Sequence, residues 1–322
     1  MSNKKPKDMN LAYGGQAIIE GVLMRSGEGY AFTVRKPDGS LYKEEQDYIA
    51  LGKRIKILGK PFIRGISGFY ENIILGTKVL NKSADIAFPE EVQSNKKSNQ
   101  FTMILSFVFA FGIAMLLFVG APYFITELFK LDHVQNPFLY NIVSGVIRMV
   151  FFFVYLLLIS LLKDTKRLFG YHGAEHKTIN AFERGFELTI EKVKTASRLH
   201  PRCGTSFIFI VFIITIIVFP FFNVYFNSQE WYLTLHKSLQ KLVIIFSHII
   251  IGMPFVASIS YELLKLSAKH EKNPIVKFFV SPGLFFQLLT TREPEDGMIE
   301  IAIESLKMVV AKSKVETNGN EA

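Results

Sequence analysis

Two pairs of potential metal ligands lie close together along the chain. His172 and His176 stand four positions apart in the segment HGAEHK, and His200 and Cys203 stand three positions apart in HPRCG. Because residues i and i+4 of a helix project from the same face, both imidazoles of the first pair can reach one ion. The second pair resembles half of a zinc ribbon, with a histidine in place of the first cysteine. The pattern predicts a zinc site with His172, His176, His200 and Cys203 as its ligands.

Glu175 would give this site a catalytic role. It precedes His176 in the order H-x-x-E-H, the inverted form of the HExxH metalloprotease helix. In such helices the glutamate acts as a general base toward water at the metal. Three protein ligands with an exchangeable water are typical of catalysis, whereas four protein ligands form a closed structural site. The sequence leaves both alternatives open, and also a third in which no metal binds.

A helix over about residues 171–184, ending at Gly185, is predicted to carry the two histidines. Glu183 falls near the same side of that helix, but it lies about 10 Å along the axis from His176. It is therefore too far away to share an ion with both histidines.

Two other charged residues are candidates for polar contacts. Glu20, in GGQAIIEGVLMR, is expected either to supply a carboxylate to the metal site or to remain an ordinary surface charge. Arg148 falls within an apolar segment, where an unpaired charge is costly, so it is expected to pair with a group such as Glu262 or a lipid phosphate.

The composition is typical of a membrane protein. The chain has 322 residues, of which 49% are hydrophobic and 31 are phenylalanine, and its mean hydropathy is +0.26. The net charge of +9 is spread along the chain without a run of basic residues that would indicate a nucleic-acid partner. The single cysteine excludes an intrachain disulfide and favours reducing surroundings, as in the cytosol.

Four segments are long and apolar enough to cross a bilayer as helices, at about residues 101–128, 139–162, 207–226 and 242–259. Lys and Arg are concentrated in residues 1–100, with 16, in the connection 163–206, with nine, and in the tail from residue 265, with eight. By the positive-inside rule both termini and the metal-site loop face the cytosol, with the protein in the inner (plasma) membrane and in contact with its lipids.

The remaining regions complete a mainly α-helical membrane protein with a small β-containing N-terminal unit. Residues 1–100 are predicted to form a β-meander, with a turn at KPDG, and an amphipathic helix over 61–83. That helix either lies on the inner leaflet or packs on the β-unit. The spans then fill 101–162 and 207–264, on either side of the metal-site loop 163–206. In the tail, 265–322, a short apolar half-helix between NP and SPG precedes a final helix that starts near Pro294.

Four separated motifs resemble the YqhQ-like family of bacterial membrane proteins of unknown function. They are GGQAIIEGVLMR (14–25), HGAEHKTI (172–179), HPRCGTSF (200–207) and LLTTREP (288–294). The family is described as a group of predicted metal-dependent enzymes, so the resemblance implies a metal site but no particular substrate.

The leading hypothesis is a four-span inner-membrane metalloenzyme that uses zinc, with its site at the cytosolic interface. Glu175 would activate water for hydrolysis of a peptide or lipid-like substrate. The alternative is a non-enzymatic membrane scaffold or assembly factor, in which the same ligands form a structural zinc clamp. The number of copies in the assembly is left open.

Overall fold

A computed structural model describes residues 13–27, 29–90, 100–131, 135–270 and 273–319. The chain begins with four strands, β1 (Gly14–Ile18), β2 (Gly21–Arg25), β3 (Gly29–Arg35) and β4 (Leu41–Asp47). They form an antiparallel meander in the order β1-β2-β3-β4. The predicted β-meander is therefore confirmed, and the KPDG segment makes the turn between its last two strands.

Helices account for most of the remaining described chain. Two lie before the first span: α1 (Leu51–Arg54), followed by a 3-10 turn at Lys56–Gly59, and α2 (Ile63–Ala87). The later helices are α3 (Gln100–Met115), α4 (Ala121–Leu128), α5 (Pro137–Ile159), α6 (Lys163–Glu183), α7 (Ile190–Lys194), α8 (Gly204–Asn227), α9 (Glu230–Leu233), α10 (Lys237–Ser247), α11 (Met253–Lys269), α12 (Pro274–Thr290) and α13 (Asp296–Gly319). Short π-helical segments join α3 to α4, at Leu116–Gly120, and α10 to α11, at His248–Gly252.

Four helices in the described chain are long and apolar enough to cross a membrane. They are Ile104–Leu128, Pro137–Ile159, Gly204–Asn227 and Lys237–Ser267. Each overlaps one of the four segments that the sequence predicted, because an uninterrupted apolar stretch of about 20 residues is a strong signal for a spanning helix. The fold is thus a mainly α-helical bundle with a small N-terminal sheet.

Both faces of the sheet are covered by helices. On one face, Val22, Met24 and Ala31 pack with residues of α6 and α13 such as Tyr171 and Ile301. On the other face, a second apolar cluster joins the sheet to α2. Nearly every residue of β2 and β3 is consequently buried. The N-terminal strands, the metal-site loop and the C-terminal helix therefore share their cores, although they are far apart in sequence.

Three local expectations need correction. Helix α6 begins at Lys163 rather than near Tyr171, and Gly170 lies inside it against Met298. The apolar stretch of the tail is not bracketed by its two prolines, since α12 runs from Pro274 to Thr290 through Pro282. Arg148 does not pair with Glu262, because that carboxylate is hydrogen-bonded to Arg64 of α2.

Candidate metal centre

Three of the four predicted ligands come together in the structure. His172, His176 and Cys203 each offer one ligand atom, and these atoms lie within 4.8 Å of one another. His172 Nε2 is 3.2 Å from Cys203 Sγ. Ligand atoms around a tetrahedral zinc ion are separated by roughly 3.3–3.6 Å, which follows from its bond lengths. A small inward adjustment of the three side chains would therefore give a zinc-binding geometry.

Backbone carbonyl groups hold both histidines in the tautomer that leaves Nε2 free to bind a metal. Nδ1 of His172 is 2.8 Å from the carbonyl oxygen of Thr290, and Nδ1 of His176 is 2.6 Å from that of Arg198. A carbonyl oxygen only accepts hydrogen bonds, so each Nδ1 carries the proton and donates it. Nε2 then presents a lone pair in both rings, as in histidines that ligate metals through this second shell.

The environment of His176 also favours the neutral ring. Its side chain is almost completely buried, and Nε2 has no hydrogen-bond partner of normal geometry among the described residues. Burial lowers the pKa of His176, and the nearby Cys203 sulfur offsets this effect only in part. A buried lone pair without a donor is unfavourable by itself, and a cation at this position would satisfy it.

Cys203 occupies the N-cap position of α8. Its sulfur accepts a hydrogen bond from the backbone N–H of Thr205, at 3.5 Å. A thiolate that binds zinc at this position would be stabilised by the partial positive charge at the helix N-terminus. The local sequence thus places the anionic ligand where the first turn of a spanning helix stabilises it.

His200 lies beside this cluster but its outer ring nitrogen faces another group. The ring centroids of His176 and His200 are 5.8 Å apart. His200 Nε2 is 3.6 Å from a carboxylate oxygen of Glu183, which also pairs with Arg202. Glu183 therefore makes ordinary polar contacts. The group of converging ligand atoms in the described chain contains His172, His176 and Cys203, with His200 next to it.

Glu175 projects from α6 toward strand β1. A Cβ atom at Gly15 would lie 2.8 Å from Glu175 Cγ, so glycine is needed there to admit the carboxylate. Burial raises the pKa of Glu175, and the nearby imidazoles and a backbone hydrogen bond from Gly15 oppose this only in part. Its Oε2 has no hydrogen-bond partner among the described residues. The carboxylate is buried beside the cluster, although it is not one of the converging ligand atoms.

Several residues that position the site carry no recognisable signal in the sequence. The Gln287 side chain of α12 donates to the carbonyl oxygen of His200 and to Ser206 Oγ, and it accepts from the N–H of His200. Asn180 of α6 donates to the carbonyl oxygens of Ser197 and Leu199. Single amides at these positions fit no ligand spacing, so only the three-dimensional contacts identify them.

Gly173 allows the end of α12 to approach the site. A Cβ atom at this position would lie 2.0 Å from the carbonyl oxygen of Arg292. The close approach brings the carbonyl oxygen of Thr290 within reach of His172, which follows from the contact described above. Glycine is therefore needed at position 173, between the two histidines of HGAEH, because any side chain there would collide with the backbone at Arg292.

Glu20 is not at the metal cluster. Its carboxylate accepts from Arg167 Nε, at 2.6 Å, and from the Tyr171 hydroxyl, at 3.0 Å. Glu20 therefore fixes the β1–β2 turn to the first half of α6, and the suggestion that it supplies a ligand is not supported by its position.

The structure thus defines a class of protein with four helices long and apolar enough to cross a membrane and a cluster of two histidines and one cysteine near their ends. Comparison with known families then places the chain within one of them. The chain belongs to the family described as "Protein of unknown function (DUF1385)", whose model matches residues 60–312. It is also 35% identical over 313 residues to "Uncharacterized protein YqhQ" of Bacillus subtilis (strain 168), with 91% of each chain covered. The resemblance noted from the four motifs is thereby confirmed. No solved structure matches the chain.

Proposed function

We propose that the chain is a zinc-dependent enzyme of the cell membrane, with His172, His176 and Cys203 as the metal ligands. One observation carries the proposal. Three ligand atoms converge, and both histidines are fixed by carbonyl groups so that their free lone pairs belong to Nε2. Three protein ligands leave a fourth position for water or substrate, which is the arrangement of catalytic zinc sites.

Zinc in such a site supplies Lewis acidity, which polarises a substrate oxygen and makes a water ligand more acidic. The chain's own residues would do the remaining work. Glu175 is proposed to accept the proton from the attacking water, because its buried Oε2 has no other partner. The packing of β1 against Glu175 would limit the access of bulk water to this carboxylate, which strengthens its electrostatic interactions.

The position of the cluster supports a substrate at the membrane surface. Cys203 immediately precedes the spanning helix Gly204–Asn227, and α6 begins four residues after the spanning helix Pro137–Ile159 ends. The ligands therefore lie near one end of the bundle. The distribution of positive charge supports a cytosolic position for this end. We propose hydrolysis of a peptide or lipid-like substrate that is presented there.

A structural zinc clamp is the second candidate function, and the placement of His200 favours it. His200 is buried, and its ring centroid is 5.8 Å from that of His176, so a rotation of its side chain would bring a fourth ligand toward the ion. The shell would then be closed, and the metal would join α6 to the loop before α8 in a scaffold or assembly factor.

Cobalt substitution separates the two candidates without a known substrate. Cobalt(II) replaces zinc in many sites, and its visible spectrum responds to changes in coordination. If the site has an open position, a small chelating ligand such as acetohydroxamate will change the spectrum of the cobalt-loaded full-length protein. A closed clamp predicts a spectrum that is unaffected by the added ligand.

Variants of the ligands and of Glu175 provide the matched controls. In the enzyme, His176→Ala loses the metal, whereas His200→Ala and Glu175→Gln retain it, and Glu175→Gln loses cellular function. Equal loss of metal and of folded protein in His176→Ala and His200→Ala supports the clamp instead. Normal cellular function of Glu175→Gln contradicts the role of Glu175 as a base.

A further inference from the structure

The first half of helix α2 exposes large apolar side chains, although the helix packs on the sheet through its other face. Phe62, just before the helix, and Ile66, Phe69 and Ile73 are each between 43% and 55% exposed. The residues that α2 buries include Ser67, Glu71 and Ser83 as well as Leu75 and Val79. Since Leu75 and Val79 pack on the sheet, the exposed apolar face points away from the sheet. The helix therefore packs on the β-unit, as one of the two sequence alternatives has it, but through Leu75 and Val79 and not through the exposed apolar residues.

The start of α2 packs against the C-terminal part of one spanning helix. Gly65 packs against Ser258 and Tyr261, and Arg64 pairs with Glu262, all in the span Lys237–Ser267. That helix has 31 residues, whereas about 20 are enough to cross the hydrocarbon of a bilayer. A helix of this length extends beyond the hydrocarbon, and its charged end, with Glu262 and Lys265, is expected at the level of the lipid headgroups.

A second contact places α2 at the same level. The ring of Phe69 is 6.3 Å from that of Phe207, centroid to centroid, and Phe207 lies in the first turn of the span Gly204–Asn227. Helix α2 thus touches the last part of one spanning helix and the first part of another. Its exposed apolar face is continuous with the apolar surface of the bundle.

The segment before α2 adds a basic patch to this apolar face. Residues 48–70 contain no Asp or Glu. Lys53, Arg54, Lys56 and Lys60 are exposed, and in the described part of the chain none of these four has an ion pair. Two isoleucines stand among them, Ile55 and Ile57, and they are 49% and 56% exposed. Basic and large apolar side chains mixed in this way are typical of segments that bind an anionic membrane surface.

We propose that residues 49–74 form a membrane-surface platform that binds anionic phospholipid headgroups of the bilayer that the helices span. The apolar face of α2 would enter the boundary between headgroups and acyl chains. Lys53, Arg54, Lys56 and Lys60 would bind the phosphates. Because the other face of α2 packs on the sheet, the platform would hold the sheet close to the membrane. An acidic protein partner fits the cations but leaves the apolar face of α2 in water, so the lipid is the favoured occupant.

Tryptophan quenching tests the position of α2. The chain has one tryptophan, so Trp231→Phe gives a silent background. Phe69→Trp in that background is expected to be quenched strongly when the full-length protein is reconstituted with lipids brominated on their acyl chains. Lys307→Trp, on the helix that covers the opposite face of the sheet, is the control and is expected to show little quenching. Equal quenching of the two tryptophans would overturn the proposed position.

Lipid retention tests the headgroup site. Full-length protein in mixed phosphatidylcholine and phosphatidylglycerol is analysed by native mass spectrometry. Wild type is expected to retain phosphatidylglycerol preferentially. Replacement of Lys53, Arg54, Lys56 and Lys60 by Gln should abolish the preference, because each cation near an anionic surface contributes about fivefold to affinity. The matched control removes four exposed charges elsewhere, Arg184, Lys192, Lys194 and Lys307.

The dependence of phosphatidylglycerol retention on ionic strength is a further test of the headgroup site. The preference of wild type should weaken as the ionic strength increases, since exposed charges are screened. Retention of phosphatidylglycerol that is equal in wild type and the quadruple variant would overturn the headgroup site. Binding of an acidic protein by the patch, with no lipid preference, would also overturn it in favour of a protein partner.

Discussion

At the scale of single residues, the two histidines of α6 are prepared for a metal by groups that contribute no ligand. The carbonyl oxygens of Thr290 and Arg198 fix their Nδ1 protons. The i and i+4 spacing predicted that the two rings share a face. It could not predict that His200 turns toward Glu183, because that orientation depends on Arg202 and on the path of the loop. It also could not predict that Glu175 is enclosed by a strand more than 150 positions away.

Gly15→Ala is expected to destabilise the protein. Its Cβ would lie 2.7 Å from the carbonyl oxygen of Leu23 and 2.8 Å from Glu175 Cγ. Either the strand or the buried carboxylate must move, at a cost of about 1–3 kcal/mol. Gly14→Ala is the control, since a Cβ there has nothing within 4 Å among the described atoms. Thermal unfolding in detergent should show a lower midpoint for Gly15→Ala alone, and equal midpoints would contradict the close approach.

Glu20 should make stability depend on pH. Burial alone would raise its pKa, but hydrogen bonds and charge from Arg167, together with the hydrogen bond from Tyr171, outweigh burial and lower the pKa below the ordinary value of 4.5 for a glutamate. The group therefore stabilises the fold above about pH 4.5, and this contribution is lost as the pH falls through the lower folded-state pKa.

Unfolding midpoints of wild type and Glu20→Gln test this dependence. At neutral pH the variant should be less stable, and the difference should shrink on acidification. Glu187→Gln, at an exposed position, is the control and should match wild type. A difference between Glu20→Gln and wild type that stays constant down to low pH would rule out an electrostatic origin.

At the scale of elements, α6 connects the sheet to the loop that supplies Cys203. One side of the helix meets β1 through Glu175 and the β1–β2 turn through Tyr171, while another side binds the loop through His176 and Asn180. The sequence predicted the helix and its end near Gly185. It placed the start too late because Gly170 resembles a helix boundary, whereas in the fold this glycine makes room for Met298.

Gln287→Leu is expected to loosen the segment from His200 to Cys203. The change leaves the N–H and carbonyl oxygen of His200 and the Ser206 hydroxyl without the amide that bonds them. Buried polar groups that lose their partners cost about 1–3 kcal/mol each. The variant should therefore unfold at a lower temperature and bind metal more weakly. Ser281→Ala, an exposed position of the same helix, should change neither property.

Metal affinity is measured by titration, and stability by thermal unfolding, for Gln287→Leu and for the control Ser281→Ala. Unchanged metal affinity and stability in Gln287→Leu would show that the loop is positioned without this amide.

At the scale of the whole molecule, the sheet is enclosed by segments from both ends of the chain. Helix α2 covers one face, and α6 with α13 covers the other. Hydropathy predicted the four spans because each signal is contained in one continuous segment. The packing of α13 on β2 and β3 could not be predicted in the same way. It joins residues such as Val22 and Ser305 that are separated by nearly the whole chain.

The sidedness of the spans gives a prediction at this scale. If both termini face the cytosol, as the positive-inside rule predicts, green fluorescent protein fused after the C-terminus should fluoresce. Alkaline phosphatase should be active when it is fused after Asn227, in the connection between the last two spans, and inactive when it is fused after Lys194. The charge distribution is the physical reason. The opposite pattern of activities would contradict the proposed orientation and, with it, a cytosolic metal site.

The coordination shell of the purified full-length protein tests the central claim most directly. Metal content and X-ray absorption at the zinc edge are measured on protein isolated from cells grown with zinc. We expect about one zinc per chain, with one sulfur at about 2.3 Å, two imidazole nitrogens at about 2.0–2.1 Å and one further light atom. His176→Ala should lose the metal. A wild-type protein with no stoichiometric metal, or with a zinc shell that contains no sulfur, would contradict the account.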